Sequence, residues 1–143
     1  MAGYFTKHDG YVYLGSKKAG EVLANGLFVS ITNTGVKKIT AAGAGEYRIE
    51  EKTTLWGLPA VRLICTKEET SEIYVTENEL EDYVDNGDFN SPEYTIPVGH
   101  YVKMRRPVIN DELYITIDST LWGTLAEGDT VTAASGGSIA KKT

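Results

Sequence analysis

Thr54-Leu55-Trp56-Gly57 recurs as Thr120-Leu121-Trp122-Gly123, and the two copies hold the only tryptophans in the chain. Each follows a stretch of alternating apolar and polar residues with a matching opening, Glu46-Tyr47-Arg48-Ile49 and Glu112-Leu113-Tyr114-Ile115, at one constant offset. A lone tetrapeptide means little, but a matched strand, turn and tryptophan predict a β unit used twice in one fold. The chain is thereby restricted to a packed β architecture. Trp56, Gly57, Trp122 and Gly123 are expected in its core or at its turns, because an indole contributes most when buried with its N–H bonded. The alternative is a ligand-stacking role for Trp56 and Trp122, as in a carbohydrate-binding module.

Short strand patterns fill the rest of the chain. Leu27-Phe28-Val29-Ser30-Ile31 reads as a buried strand with the turn signal Asn33-Thr34-Gly35 behind it, and Val36–Ile39 completes a hairpin. Tyr47–Leu55 and Ala60–Thr66 flank Trp56-Gly57-Leu58-Pro59 as a second pair. Tyr101–Arg105, Leu113–Ile117, Thr130–Thr132 and Ser138–Ala140 follow. About ten short strands at this spacing predict an all-β barrel or sandwich in a single domain spanning 1–143. Residues 1–20 read as an extended aromatic arm with room for one strand.

The net charge of −6 is unevenly spread. Residues 68–93 hold ten of the twenty acids and no Lys or Arg, while the remainder carries fourteen bases and ten acids. The acidic stretch reads as an insertion with a solvated surface, containing the short strand Ile73-Tyr74-Val75. It also contains a short helix near residues 77–84, with Thr76 as N-cap and Glu79 closing a capping box. Such a segment cannot lie against a phosphate backbone, so no nucleic-acid partner is expected. No apolar run reaches the ~20 residues that span a bilayer, so no membrane association is expected, and the Met1 start reads as a cytosolic product.

Little in the chain suggests catalysis. Cys65, the only cysteine, alternates with Val61 and Leu63 on one face and reads as a buried structural thiol. Placing Gly87 sixth in a calcium loop puts Asp82, Asn86, Asp88 and Glu93 at ligand positions, but Val84 falls at the third. A solvated acidic surface is preferred there, an irregular calcium site being the alternative. Neighbouring acids such as Glu81 and Asp82 lack the opposed, differing environments that acid–base chemistry requires. Gly43-Ala44-Gly45 is followed by a strand instead of Lys-Ser/Thr and a helix, so it is no phosphate loop. The expectation is a non-enzymatic protein without metal or cofactor.

Gly26-Leu27-Phe28-Val29, the run Pro97 to Pro107 and the closing Leu125–Thr132 with Gly136-Gly137-Ser138-Ile139 resemble the head decoration (cement) proteins of tailed bacteriophages. The resemblance covers about a third of the chain. It implies a catalytically empty β body that binds the outer surface of the major capsid protein lattice in the virion, as a trimer, with a monomer at capsomer centres as the alternative. Another virion part, such as a head fibre base, tail-tube or connector subunit, is the alternative. The N-terminus here is aromatic and charged, where many cement proteins carry a Thr/Ala/Pro-rich arm. Tyr4, Phe5, Tyr11 and Tyr13, with Lys103 and Arg105 on one strand face, are the expected contacts to the capsid or a neighbouring copy. Residues 1–14 would face the shell and residues 68–93 point away. Deleting residues 2–14 would then leave the thermal melt of the free protein nearly unchanged. Replacing Glu77, Glu79 and Glu81 by Gln would leave binding intact.

Overall fold

The computed structural model describes residues 2–8, 12–78 and 94–142. Its strands are β1 (Gly3–Lys7), β2 (Val12–Lys18), β3 (Phe28–Thr32), β4 (Gly35–Lys38), β5 (Glu46–Leu55), β6 (Leu58–Lys67), β7 (Tyr74–Thr76), β8 (Tyr101–Arg105) and β9 (Glu112–Thr116). A helix, α1 (Ser119–Thr124), precedes β10 (Thr130–Ala133) and β11 (Ile139–Lys141). They make two antiparallel sheets, a six-stranded one ordered β1-β9-β6-β5-β10-β11 and a five-stranded one ordered β2-β8-β7-β3-β4. The all-β, sandwich-type architecture read from the strand spacing is the one observed.

Period-2 patterning decides what the large sheet buries. Val61, Leu63 and Cys65 of β6 point inward beside Tyr47 and Ile49 of β5 and Leu113 and Ile115 of β9. Each fully buried aliphatic side chain here contributes roughly 1.5–3 kcal/mol. In the small sheet, β7 and the start of β3 are buried on both faces. Phe28 and Val75 join that main core, whereas Val29, Tyr74, Val102 and Met104 enter a second cluster with Leu23, Leu27, Tyr94 and Ile96. Burial on both faces is why Leu27-Phe28-Val29 and Ile73-Tyr74-Val75 read as continuous apolar runs instead of alternating ones.

The small sheet curls until its two ends meet. Ala19, just past β2, forms a parallel bridge with Val36 of β4, and the Gly20 N–H donates to the Val36 carbonyl at 2.9 Å. Two glycines make this approach possible. A Cβ on Gly20 would lie 2.5 Å from the Thr34 carbonyl oxygen, and one on Gly35 would lie 2.7 Å from both the Gly20 nitrogen and the Lys18 carbonyl oxygen. Only a residue without a side chain fits such a backbone crossing. The bridge covers part of the sheet edge that would otherwise stand open.

Three expectations are corrected. Residues 3–7 are no free arm: β1 pairs with β9, Ala2 and Phe5 are buried, and the Ala2 N–H donates to Thr116 Oγ1 at 2.8 Å. The acidic stretch is not wholly an appendage either, because β7 lies in the middle of the small sheet and Glu69 and Glu77 are only 3% and 7% exposed. Thr76 ends β7 instead of capping a helix. Its hydroxyl donates to the Ala24 carbonyl at 2.6 Å and accepts from the Leu27 N–H at 3.1 Å. The helix expected near 77–84 falls, from residue 79 on, outside the described residues, as does the calcium-loop stretch.

The repeat holds in its strand half alone. Glu46–Ile49 in β5 and Glu112–Ile115 in β9 flank β6 on either side, with Tyr47, Ile49, Leu113 and Ile115 all inward. The Thr-Leu-Trp-Gly copies diverge. In the first, Trp56 and Gly57 take φ of 50° and 77° at the β5–β6 tip, the paired positive φ that a two-residue hairpin loop demands. In the second, Asp118 caps α1 by accepting from the Thr120 N–H at 2.8 Å, so the same four residues wind into a helix.

Candidate interaction surface

The residues expected at a contact surface are divided by the fold. Tyr4 lies on the outward side of the large sheet against Tyr114, ring centroids 5.4 Å apart. Tyr114 in turn donates to Glu51 at 3.3 Å, and Arg62 pairs with Glu112 at 2.6 Å, so a polar row crosses β1, β9, β6 and β5. Phe5 is withdrawn into the main core and cannot serve as a surface contact. Tyr13 sits in β2 opposite Met104, and Tyr11 lies outside the described residues. Lys103 and Arg105 do share one face of β8, alternating with buried Val102 and Met104. Arg105, however, is turned to an internal task.

That task is a clamp between the sheets. Arg105 Nε donates to Glu77 Oε1 at 2.6 Å with both side chains nearly buried, and the second carboxylate oxygen accepts the Phe5 N–H at 2.8 Å. One carboxylate thus ties β1 of the large sheet to β8 of the small one. Next to it, Asn25 and Asn78 bond reciprocally: Asn78 N–H to Asn25 Oδ1 at 2.7 Å, Asn25 Nδ2 to the Asn78 carbonyl at 3.0 Å. Asn78 Oδ1 also takes the Lys103 N–H at 2.6 Å.

Glu69 makes a second internal anchor, in the loop that fails as a phosphate cradle. Its Oε1 accepts the Gly45 N–H at 2.9 Å and its Oε2 accepts the Tyr47 hydroxyl at 2.9 Å. A Cβ on Gly43 or Gly45 would come within 2.5 Å of these oxygens, so the small residues of the loop make room for a carboxylate of the chain itself. Sequence reasoning missed both anchors because it assigned every acid of the segment to solvent. The available signal was that Glu77 lies just beyond the apolar run Ile73-Tyr74-Val75.

Burial, followed by the Glu69 charge, pushes the Tyr47 hydroxyl well above the ordinary tyrosine range, and burial pushes the Cys65 thiol up to about 12. Both groups keep their protons in the folded chain and release them at lower pH once unfolded. Their stabilisation is therefore complete below about pH 9 and lost as the pH climbs from there toward 12. Unfolding free energy from urea titrations should fall between pH 9 and 11, by roughly 2–3 kcal/mol from the thiol alone at pH 11. Cys65→Ala should flatten that slope, and an unchanged slope would count against the assignment. The buried structural thiol is as expected.

The two tryptophans are in unlike settings. Trp122 packs against the main core, gives its indole N–H to the Ala60 carbonyl at 3.1 Å and has Lys52 Nζ 4.0 Å above its ring. Lys52 also donates to the Leu125 carbonyl at 2.8 Å, so the ring face is occupied. Trp56 and Leu58 are exposed at the hairpin tip, as are Val22, Val98 and Tyr101 around the closure of the small sheet. Among the described residues no cluster of His, Cys, Asp and Glu has metal-binding geometry. No family model, curated protein or solved structure matches this chain.

Proposed function

We propose that this protein is a non-enzymatic virion component, a decoration protein that binds the outer surface of a major capsid protein lattice as a trimer. The observation that carries this reading is how its side chains are divided. The buried acids Glu69 and Glu77 are used as anchors inside the body, while large apolar side chains stand exposed at a hairpin tip and around the sheet closure. A body fixed by clamps and carrying apolar tips suits attachment to a repeated protein surface, where avidity across many sites makes modest single contacts sufficient.

The segments that resemble decoration proteins are neighbours in space, which further supports the reading. Phe28 donates its N–H to the Gly137 carbonyl at 2.8 Å, and β8 reaches β3 through β7. Purified protein mixed with undecorated capsids should co-sediment with them, saturating at a fixed ratio to capsid subunits. Protein left in the supernatant at all ratios would remove this reading. A Trp56-dependent hit on a glycan array would favour the sugar-binding alternative.

A further inference from the structure

Two lysine pairs far apart in the chain flank the closure of the small sheet. Lys17-Lys18 precede Ala19 and Lys37-Lys38 follow Val36, so the parallel Ala19–Val36 bridge has one pair on either side of it. Gly20 packs so closely here that a Cβ on it would lie 3.0 Å from Lys37 Cε. Among the described residues none of these four ammonium groups has a carboxylate partner, although Lys67, Lys141, Lys142, Arg48, Arg62 and Arg105 each have one. Glu21 is the acid close by, and its Oε2 accepts the Lys38 backbone N–H at 2.7 Å.

Apolar surface adjoins this cationic corner. Lys18 Nζ stands 5.2 Å from the centre of the Tyr101 ring. From there a backbone ladder joins residues 19–23 to 96–100: Gly99 N–H to the Ala19 carbonyl and Ala19 N–H to the His100 carbonyl, both 2.8 Å, and paired bonds between Leu23 and Ile96. Ala19, Leu23 and Ile96 turn inward. Val22, Val98 and Tyr101 remain outside, 55%, 60% and 57% exposed. Beside Val22 lies a groove of about 240 Å³, lined by Leu23, Ala24, Leu27 and Lys38 among others.

We propose that this closure is a docking surface for an acidic protein face that places an apolar side chain in the groove by Val22. Charge complementarity selects the partner: ammonium groups without a carboxylate partner among the described residues gain from facing carboxylates. The apolar strip of Val22, Val98 and Tyr101 needs an apolar counterpart, which a phosphate backbone lacks. Resting on the function proposed above, the partner is the capsid shell.

The test uses the whole chain with undecorated capsids and, in parallel, a soluble glutamate–leucine copolymer. Three variants are compared: Lys17→Glu/Lys18→Glu/Lys37→Glu, the milder Lys17→Ala/Lys18→Ala, and Val22→Asp/Val98→Asp. Each is first checked for an unchanged melt, and the milder pair stands in if charge reversal disturbs folding. Charge reversal should weaken capsid binding at least about tenfold, the apolar pair should weaken it similarly, and added salt should weaken the wild type. Wild-type binding with undiminished variants overturns the docking surface and leaves the capsid reading standing. If the wild type ignores capsids, the capsid reading falls and the copolymer decides. Amide shifts confined to residues 17–22, 37–38 and 97–101 uphold an acidic-protein site, and scattered or absent shifts overturn it. Equal binding of a short oligo-thymidylate, insensitive to Val22→Asp/Val98→Asp, would mark a general polyanion site and also overturn it.

Discussion

A chain lacking residues 2–7 should lose its cooperative melt, because those residues are part of the body rather than an extension from it. Phe5 is buried in the main core, and truncating a buried phenylalanine costs about 3–5 kcal/mol. The deletion also removes the donor to Glu77 Oε2 and all three bonds between Ala2 and Thr116, and it bares the β9 edge. Each buried polar group left without a partner costs about 1–3 kcal/mol more. Their sum rivals the ~5–15 kcal/mol that holds a typical domain folded. Far-UV circular dichroism against temperature checks this, with Phe5→Ala as the graded case, expected to lose about 3–5 kcal/mol in urea titration. A truncated chain melting within a few degrees of the intact one would restore the free-arm picture.

Glu77→Gln should be nearly as damaging, although it changes one atom. The Glu77 and Arg105 side chains are 10% and 13% exposed, so losing the carboxylate charge leaves a guanidinium buried without compensation. Breaking a buried pair from one side costs about 3–5 kcal/mol. For a domain of this size that corresponds to a melting temperature lower by roughly 10–20 °C. Glu77→Leu combined with Arg105→Met removes both charges and should recover much of the loss, since the coupling belongs to the pair. If Glu77→Gln melts with the wild type, the clamp contributes nothing. The expectation that Gln at this position is harmless treated Glu77 as a surface acid.

Which readings survived follows from the range of the interactions behind them. Alternation placed Val61, Leu63 and Cys65 on the inner face, since side-chain direction along a strand is a property of consecutive residues. Asn33-Thr34-Gly35 foretold the β3–β4 turn for the same local reason. The interaction surface was scarcely visible. Lys17-Lys18 and Lys37-Lys38 read as scattered pairs until the glycine crossing at Gly20 and Gly35 brought them to either side of one bridge. Arg105 read as a surface cation because nothing near it in the chain announces Glu77 as its partner.

By itself the sequence determined the all-β class, the position of most strands and the inward faces of β5, β6 and β9, because backbone sterics and period-2 burial are written residue by residue. Tertiary structure alone decided what the repeated Thr-Leu-Trp-Gly becomes. Between β5 and β6, where the strands pair on both sides of it, it is a hairpin tip. Behind the capping Asp118 it is a helix whose Trp122 closes the core under Lys52. Four residues carry too little local preference to settle their own conformation, so their partners settle it. The buried acids follow the same rule: a carboxylate enters the interior when distant parts of the chain supply its donors, as Gly45 and Tyr47 do for Glu69 and Arg105 and Phe5 do for Glu77.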